Sequence, residues 1–200
     1  MKLNEFQGKK LLEKEKISLP WGKLAISPDE VRMLAGEWGK GCVLKAQIPT
    51  GGRGKAGLIK SASSPGEAET LSKDIFGKTH RGYQVEKILV EEKLNIKNEL
   101  YLSFGVNADD GAIDMLVSSR GGVVIEATVE KDATAISKTT FSPSEIPSEY
   151  QIRNVWRTAG FRGPLLLKLA DISHKLSRLF FFYDLMLAEI NPLVILVNGD

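Results

Sequence analysis

The stretch Cys42-Val43-Leu44-Lys45-Ala46-Gln47-Ile48, then Pro49-Thr50-Gly51-Gly52-Arg53-Gly54-Lys55-Ala56-Gly57, then Leu58-Ile59-Lys60-Ser61 decides how this chain is read. An apolar run carrying one lysine predicts a strand over Cys42 to Ile48. A loop with four glycines, one arginine and one lysine follows. It fails the P-loop pattern, because no glycine lies five residues before Gly54 and Ala56 stands where Ser or Thr is required. It fits G-x-G-x-x-G through Gly52, Gly54 and Gly57, but a dinucleotide fingerprint must open a helix. Leu58 to Ser61 looks like a strand instead, so the loop joins two antiparallel strands. Such a loop is either a solvated connection or a cradle whose backbone N–H groups approach phosphate oxygens, with Arg53 and Lys55 adding charge. Lys45 faces away from Leu44 by the alternation of a strand, towards either solvent or a charged ligand.

Upstream, Asn4 with Gln7 predicts a capping box, and the helix it opens ends before Ser18-Leu19-Pro20. Trp21 to Ile26 is a short strand. Ser27-Pro28-Asp29-Glu30 and Ser64-Pro65-Gly66-Glu67 each present an N-cap serine, proline at the first helical position and glutamate at the third. Gly39 closes the first of these helices, and the second runs towards Gly77.

Downstream, strands are expected over Glu86 to Glu91, Glu99 to Val106, Ile113 to Val117 and Val123 to Thr128, with Asp109-Asp110-Gly111 and Arg120-Gly121-Gly122 as turns. Phe141 to Pro147 is a loop, followed by helices near Ser148 to Ala159 and Gly163 to Tyr183. Glu189-Ile190-Asn191-Pro192 is expected to end the long helix and enter a last strand over Leu193 to Val197. Asn198-Gly199 then signals a type I′ turn with a returning strand, so the polypeptide is expected to continue beyond Asp200. The fold class is α+β.

Composition narrows the functions. The 200 residues are 42% hydrophobic and 26% charged with net charge +2, which is globular and gives no global attraction to polyanions. The single cysteine, Cys42, allows no internal disulfide and sits in an apolar run as a core residue would. His80 and His174 lie far apart with no cysteine beside them, which argues against a Cys/His zinc site. No apolar signal segment follows Met1, and Leu176 to Ile190 is too short and too charged to span a bilayer. A location in the cytoplasm or an organelle matrix is expected.

Carboxylates supply the remaining candidates. Glu91 and Glu92 end one strand and Glu99 begins the next, and a carboxylate there is either a solvated strand end or an acceptor for amino or hydroxyl groups. Asn191, beside Glu189, is either a turn residue or a hard oxygen ligand suited to Mg²⁺.

Taken in order, these strings resemble one family. Leu3-Asn4-Glu5-Phe6-Gln7-Gly8-Lys9 is similar to the N-terminal L-x-E-[YF]-Q-[AG]-K of succinyl-CoA synthetase β subunits and their malate–CoA ligase and citrate-activating relatives. The stretch from Val43 through Gly57, then Ile88-Leu89-Val90-Glu91, Glu99-Leu100-Tyr101, Gly121-Gly122-Val123 with Ile125-Glu126, and Glu189-Ile190-Asn191-Pro192-Leu193 keep that family's order and spacing over essentially the whole chain.

The resemblance implies an ATP-grasp fold, two α/β lobes with a nucleotide cleft between them and the C-terminal part missing. One lobe would take residues 20–97 and the other 1–19 with 98–200. Lys45 would bind phosphates, and Gly52, Arg53 and Gly54 would form a flap over the nucleotide. Glu91, Leu94 and Glu99 would lie on its adenine and ribose side, and Asn191 would hold Mg²⁺. ATP would drive the joining of a carboxylic acid to CoA in the tricarboxylic acid cycle manner, through a phosphohistidine on an α subunit in a hetero-oligomer, so no catalytic residue is assigned in this chain. Pro20 matches ATP-preferring members, whereas Pro49, Leu94 and Arg120 depart from the common pattern. An aspartate serving as second metal ligand would fall beyond Gly199. A phosphate- or RNA-gripping domain is the reading from another class, disfavoured by near-neutral charge and few loop aromatics. A protein kinase is excluded, because the lysine precedes the glycine loop and no H-R-D or D-F-G string occurs.

Overall fold

The computed structural model describes residues 1–121 and 136–200. The expected strand over Val123 to Thr128, with Gly122 and the Ile125-Glu126 pair, lies outside the described residues. The chain forms two compact units, Met1–Leu94 and Asn95–Asp200.

The first unit holds a four-stranded antiparallel sheet in the order β1-β6-β2-β3, from β1 (Gly22–Ala25), β2 (Cys42–Ala46), β3 (Ile59–Ala62) and β6 (Ile88–Glu92). The Gly-rich loop does join antiparallel strands, pairing Lys45 with Ile59 and Leu44 with Lys60. Alternation sends Cys42, Leu44 and Ala46 into a core with Val90, Ile88 and Ala25, covered by α2 (Pro28–Trp38) and α3 (Pro65–Lys73). Both helices start as read: Ser27 and Ser64 accept from the N–H groups of Glu30 and Glu67, each with proline in the first turn. Gly39, at φ 59°, ends α2 in the left-handed conformation that glycine adopts without strain. Cys42 is buried in this core, and burial, with Glu67 nearby, raises its thiol pKa.

Helix α1 (Glu5–Lys14) carries the expected capping box: Gln7 N–H donates to Asn4 Oδ1, and Asn4 N–H to Gln7 Oε1. Residues 1–19, read from the resemblance as part of the later lobe, group with the first unit instead. Side-chain partners on β2 and β6 explain it, as described below. A small hairpin, β4 (Thr79–His80) with β5 (Tyr83–Gln84), was not anticipated. Its tip, Arg81-Gly82, has φ 49° and 84°, a conformation that Asn-Gly or Asp-Gly normally announces.

The second unit is built on the antiparallel order β10-β7-β8-β9, from β7 (Ile96–Asn107), β8 (Ala112–Ser118), β9 (Ile136–Phe141) and β10 (Leu187–Leu196). The Asp109-Asp110-Gly111 turn joins β7 to β8, with Gly111 left-handed at φ 59°. Helices α4 (Glu149–Thr158) and α5 (Gly163–Phe182) fall where expected, α4 with a Ser148–Gln151 capping box. Phe104 of β7 meets Phe180 of α5 with ring centres 6.2 Å apart. Buried Trp156 donates its Nε1–H to Ser173 Oγ at 2.7 Å, which donates to the Leu169 carbonyl. Among the described residues no helix is long and apolar enough to cross a membrane.

Two differences from expectation are informative. Strand β9 has a polar middle, Ser137-Lys138-Thr139-Thr140, with no apolar stripe to announce it. More consequentially, Glu189-Ile190-Asn191-Pro192 does not end the long helix but lies inside β10. Pairing with β7 extends that strand back to Leu187, and its register shifts between Ile190 and Leu193. Pro192 is accommodated there because the shift interrupts the ladder, and β10 has one strand neighbour, β7, among the described residues. At the chain end only Gly199 of the Asn198-Gly199 pair has positive φ, so the turn is not type I′.

Candidate functional site

In the first unit the sheet face opposite α2 and α3 carries charge. Lys45 is the fourth residue of β2, and β6 lies beside it, with Val43 directly opposite Glu91. Side chains two apart on a strand share a face, so Lys45 and Glu91 meet diagonally: Lys45 Nζ lies 2.5 Å from Glu91 Oε2. Helix α1 lies against this face. Glu5 and Lys9, one turn apart, both point into it. Lys45 Nζ donates to Glu5 Oε1 at 2.8 Å, and Lys9 Nζ pairs with Glu91 and lies 3.4 Å from Glu5 Oε1.

The Gly-rich loop supplies the last member. Pro49 follows the strand, and Gly52 and Gly57, at φ 77° and 68°, let the backbone fold back on itself. Ala56 N–H donates to Gly52 O at 3.1 Å, and Leu58 N–H to Arg53 O at 2.9 Å. The loop thereby aims Arg53 back at β2, where Nη1 donates to Ala46 O and Nη2 to Glu5 Oε2, each at 2.8 Å. Three cations (Lys9, Lys45, Arg53) thus surround two carboxylates (Glu5, Glu91), leaving one net positive charge.

Electrostatics reflect that crowding. Burial opposes ionisation of Glu5, but Lys45, Arg53 and Lys9 outweigh it and hold its carboxyl at about 2. Burial and the neighbouring Lys45 pull Lys9 down to about 8, against the attraction of Glu5. Glu91 is 2% exposed and shares Lys45 and Lys9. Beside the cluster, Phe6, Lys9, Pro20, Trp21, Gly22 and Glu91 help to line a pocket of about 200 Å³. Cations fixed by ion pairs beside a glycine loop are suited to oxyanions.

The residues expected from sequence divide by unit. Lys45, Arg53 and Glu91 come together in the first, with Gly52 and Gly54 in the loop and Leu94 half-buried two residues beyond β6. Glu99 and Asn191 are exposed in the second unit, on β7 and β10. Near them Tyr101 donates its hydroxyl to Glu189 Oε2 at 3.2 Å, and burial together with Glu189 raises the Tyr101 pKa to about 12. His80 contacts the Gly51 carbonyl and His174 that of Pro147. No group of three or more metal-ligating His, Cys, Asp or Glu side chains occurs among the described residues. Glu5 and Lys9 were given no role from sequence; their i, i+4 spacing on one helix face was the available signal.

Residues 2–195 match the family described as the ATP-grasp domain. The chain belongs to that family. Among curated relatives of this ATP-grasp chain, subunit β 1 of an ADP-forming succinate–CoA ligase from Archaeoglobus fulgidus is 39% identical over 199 residues, covering 100% of this chain and 52% of the relative. Subunit β of a GDP-forming succinate–CoA ligase from Thermus thermophilus is 36% identical over 199 residues, again covering 100% and 52%. The chain therefore spans about half the length of the curated relatives it matches. Among solved structures, a dinucleotide-forming acetyl-coenzyme A synthetase 1 of Ca. Korarchaeum cryptofilum, in complex with coenzyme A and Ca-AMPCP, superposes with TM-score 0.75 at 21% identity over 96% of this chain and 86% of that one. That likeness supports the ATP-grasp fold read from the sequence.

Proposed function

We propose that this chain is the nucleotide-binding part of the β subunit of an acid–CoA ligase of the succinate–CoA ligase type. ATP, a carboxylic acid and CoA become acyl-CoA, ADP and phosphate, through a phosphohistidine on an α subunit that also carries the CoA site. The single observation behind the phosphate assignment is the convergence of Lys45 and Arg53 at the glycine loop of an ATP-grasp chain. Lys45 donates to the phosphates as a held ammonium, and Arg53 adds a guanidinium from the flap formed with Gly52 and Gly54. Glu91 fixes Lys45 from β6 and, with Pro20, borders the pocket on the base side. Phosphoryl transfer asks the protein mainly to position the groups and neutralise charge, and these residues supply both.

Mg²⁺ fits the chemistry of the second unit. Asn191 offers a hard amide oxygen from an exposed position of β10, with the Glu189 carboxylate two residues before it. Asn191 would be its ligand there. Pro20 favours ATP over GTP, although relatives of both nucleotide types match. We place the assembly in the cytoplasm or a mitochondrial matrix, as a hetero-oligomer with its α subunit.

The test is co-expression of the full-length β chain with its α partner, assayed with ATP, CoA and succinate, malate or citrate. Acyl-CoA formation that is lost in Lys45→Met is the expected result; no acyl-CoA from any of these acids overturns the ligase reading. Residues 1–200 alone are expected to bind ATP-Mg only weakly by calorimetry, and tight Mg-dependent binding would contradict the need for further chain.

A further inference from the structure

The N-terminal helix is anchored by the very groups assigned to phosphate. Glu5 presents its two carboxylate oxygens as a fork, one to Lys45 Nζ and one to Arg53 Nη2, both at 2.8 Å. Two oxygens of a phosphate would take the same donors in the same way. Further polar contacts hold the helix. Phe6 N–H donates to Gln47 Oε1 at 2.9 Å and Lys9 pairs with Glu91, while Phe6, Leu11 and Leu12 are half-buried. The helix is therefore tied to the sheet through charged groups that a ligand can also engage.

We propose that α1 is a latch: Glu5 is the resident anion on Lys45 and Arg53, and a phosphate-bearing ligand displaces it and releases the helix. The inference rests on the phosphate reading of those two cations. A phosphate brought onto those donors would set its charge against that of the Glu5 carboxylate, and like charges repel at that separation. Once α1 leaves, Lys9 leaves with it, and Glu91 keeps Lys45 as its partner on the sheet. Ligand and helix then exclude each other by mass action, so whatever weakens the latch strengthens apparent ligand affinity.

The variant Glu5→Gln keeps the side-chain shape and removes its charge. Amide hydrogen exchange over residues 5–14 reads the latch without any ligand, and ATP titration reads the competition. Exchange of α1 in Glu5→Gln is expected to rise about tenfold over the unsubstituted chain, and ATP affinity to rise by a similar factor. Saturating ATP should produce the same loss of α1 protection in the unsubstituted chain, and so should high salt, which needs no variant. Unchanged α1 protection in Glu5→Gln and at high salt overturns the latch. So does weaker ATP binding in Glu5→Gln, since Glu5 would then be positioning Lys45. If α1 is released in Glu5→Gln but ATP affinity is the same as in Lys45→Met, the phosphate reading itself has failed, and the exchange of ligand for helix with it.

Discussion

Glu5, the first residue of α1, and Lys45, in β2, stand 40 positions apart and share a 2.8 Å charged hydrogen bond. Around it are Arg53, Lys9 and Glu91, and the behaviour of the first unit should depend on these five side chains more than on any other polar group there.

Lys45→Met should cost both function and stability. Glu91, almost fully buried, would keep only Lys9, and Glu5 only Arg53 and the more distant Lys9. A loss of about 2 kcal/mol in urea unfolding is expected, because a buried carboxylate loses one of its two charged partners. Nucleotide-dependent activity of the full assembly should fall at least about 100-fold, as removal of a charge-assisted phosphate contact does.

Acid should unfold the first unit partly through Glu5. Its carboxyl titrates at about 2 when folded, against 4.5 as the ordinary value. The unfolded chain therefore binds the proton more tightly, and the stability due to Glu5 is complete above about pH 4.5 and is lost as pH falls towards 2. Lys9, lowered from 10.5 to about 8, contributes the opposite end: between those values the unfolded chain holds more protons, so stability rises with pH. Urea midpoints measured across pH should show both slopes, and Glu5→Gln should flatten the acidic one.

Gly22→Ala should disturb the site from β1. A Cβ there would come within 2.7 Å of Glu91 Cγ and 3.1 Å of the Val90 carbonyl. Because Glu91 is pinned by Lys45 and Lys9, it cannot swing aside freely, and a cost of about 1–2 kcal/mol is expected from overpacking. Denaturation measures it, and ligand affinity should fall in the same variant.

Ser173→Ala tests the core of the second unit. The Trp156 Nε1–H would be left buried without its acceptor, for an expected loss of about 1–3 kcal/mol. Ser173→Thr, which retains a hydroxyl, should recover part of it if the added methyl is accommodated. Thermal unfolding distinguishes the two.

Local signals were legible wherever the chemistry is local. The caps at Asn4, Ser27 and Ser64, the glycine stop at Gly39 and the hairpin at Gly111 are each set within a few residues, and each is found where the residues place it. The hairpin geometry of the Gly-rich loop followed from apolar runs on both sides of it. Strand β10 was misjudged at its start because Leu185 to Ile190 carries no alternation; pairing with β7 extends it. β9 and the Thr79–Gln84 hairpin were missed for a similar reason, since neither has an apolar stripe.

Residue order alone therefore carried the family resemblance, the α+β class and the glycine-rich hairpin, because capping, alternation and glycine placement act over a few neighbours. Folding decided which charges meet. The contact of Lys9 with Glu91 spans 82 positions and that of Arg53 with Glu5 spans 48, and neither is written in a local pattern. Each arises because antiparallel pairing sets Glu91 beside β2, while α1 lies across that face with Glu5 and Lys9 one turn apart.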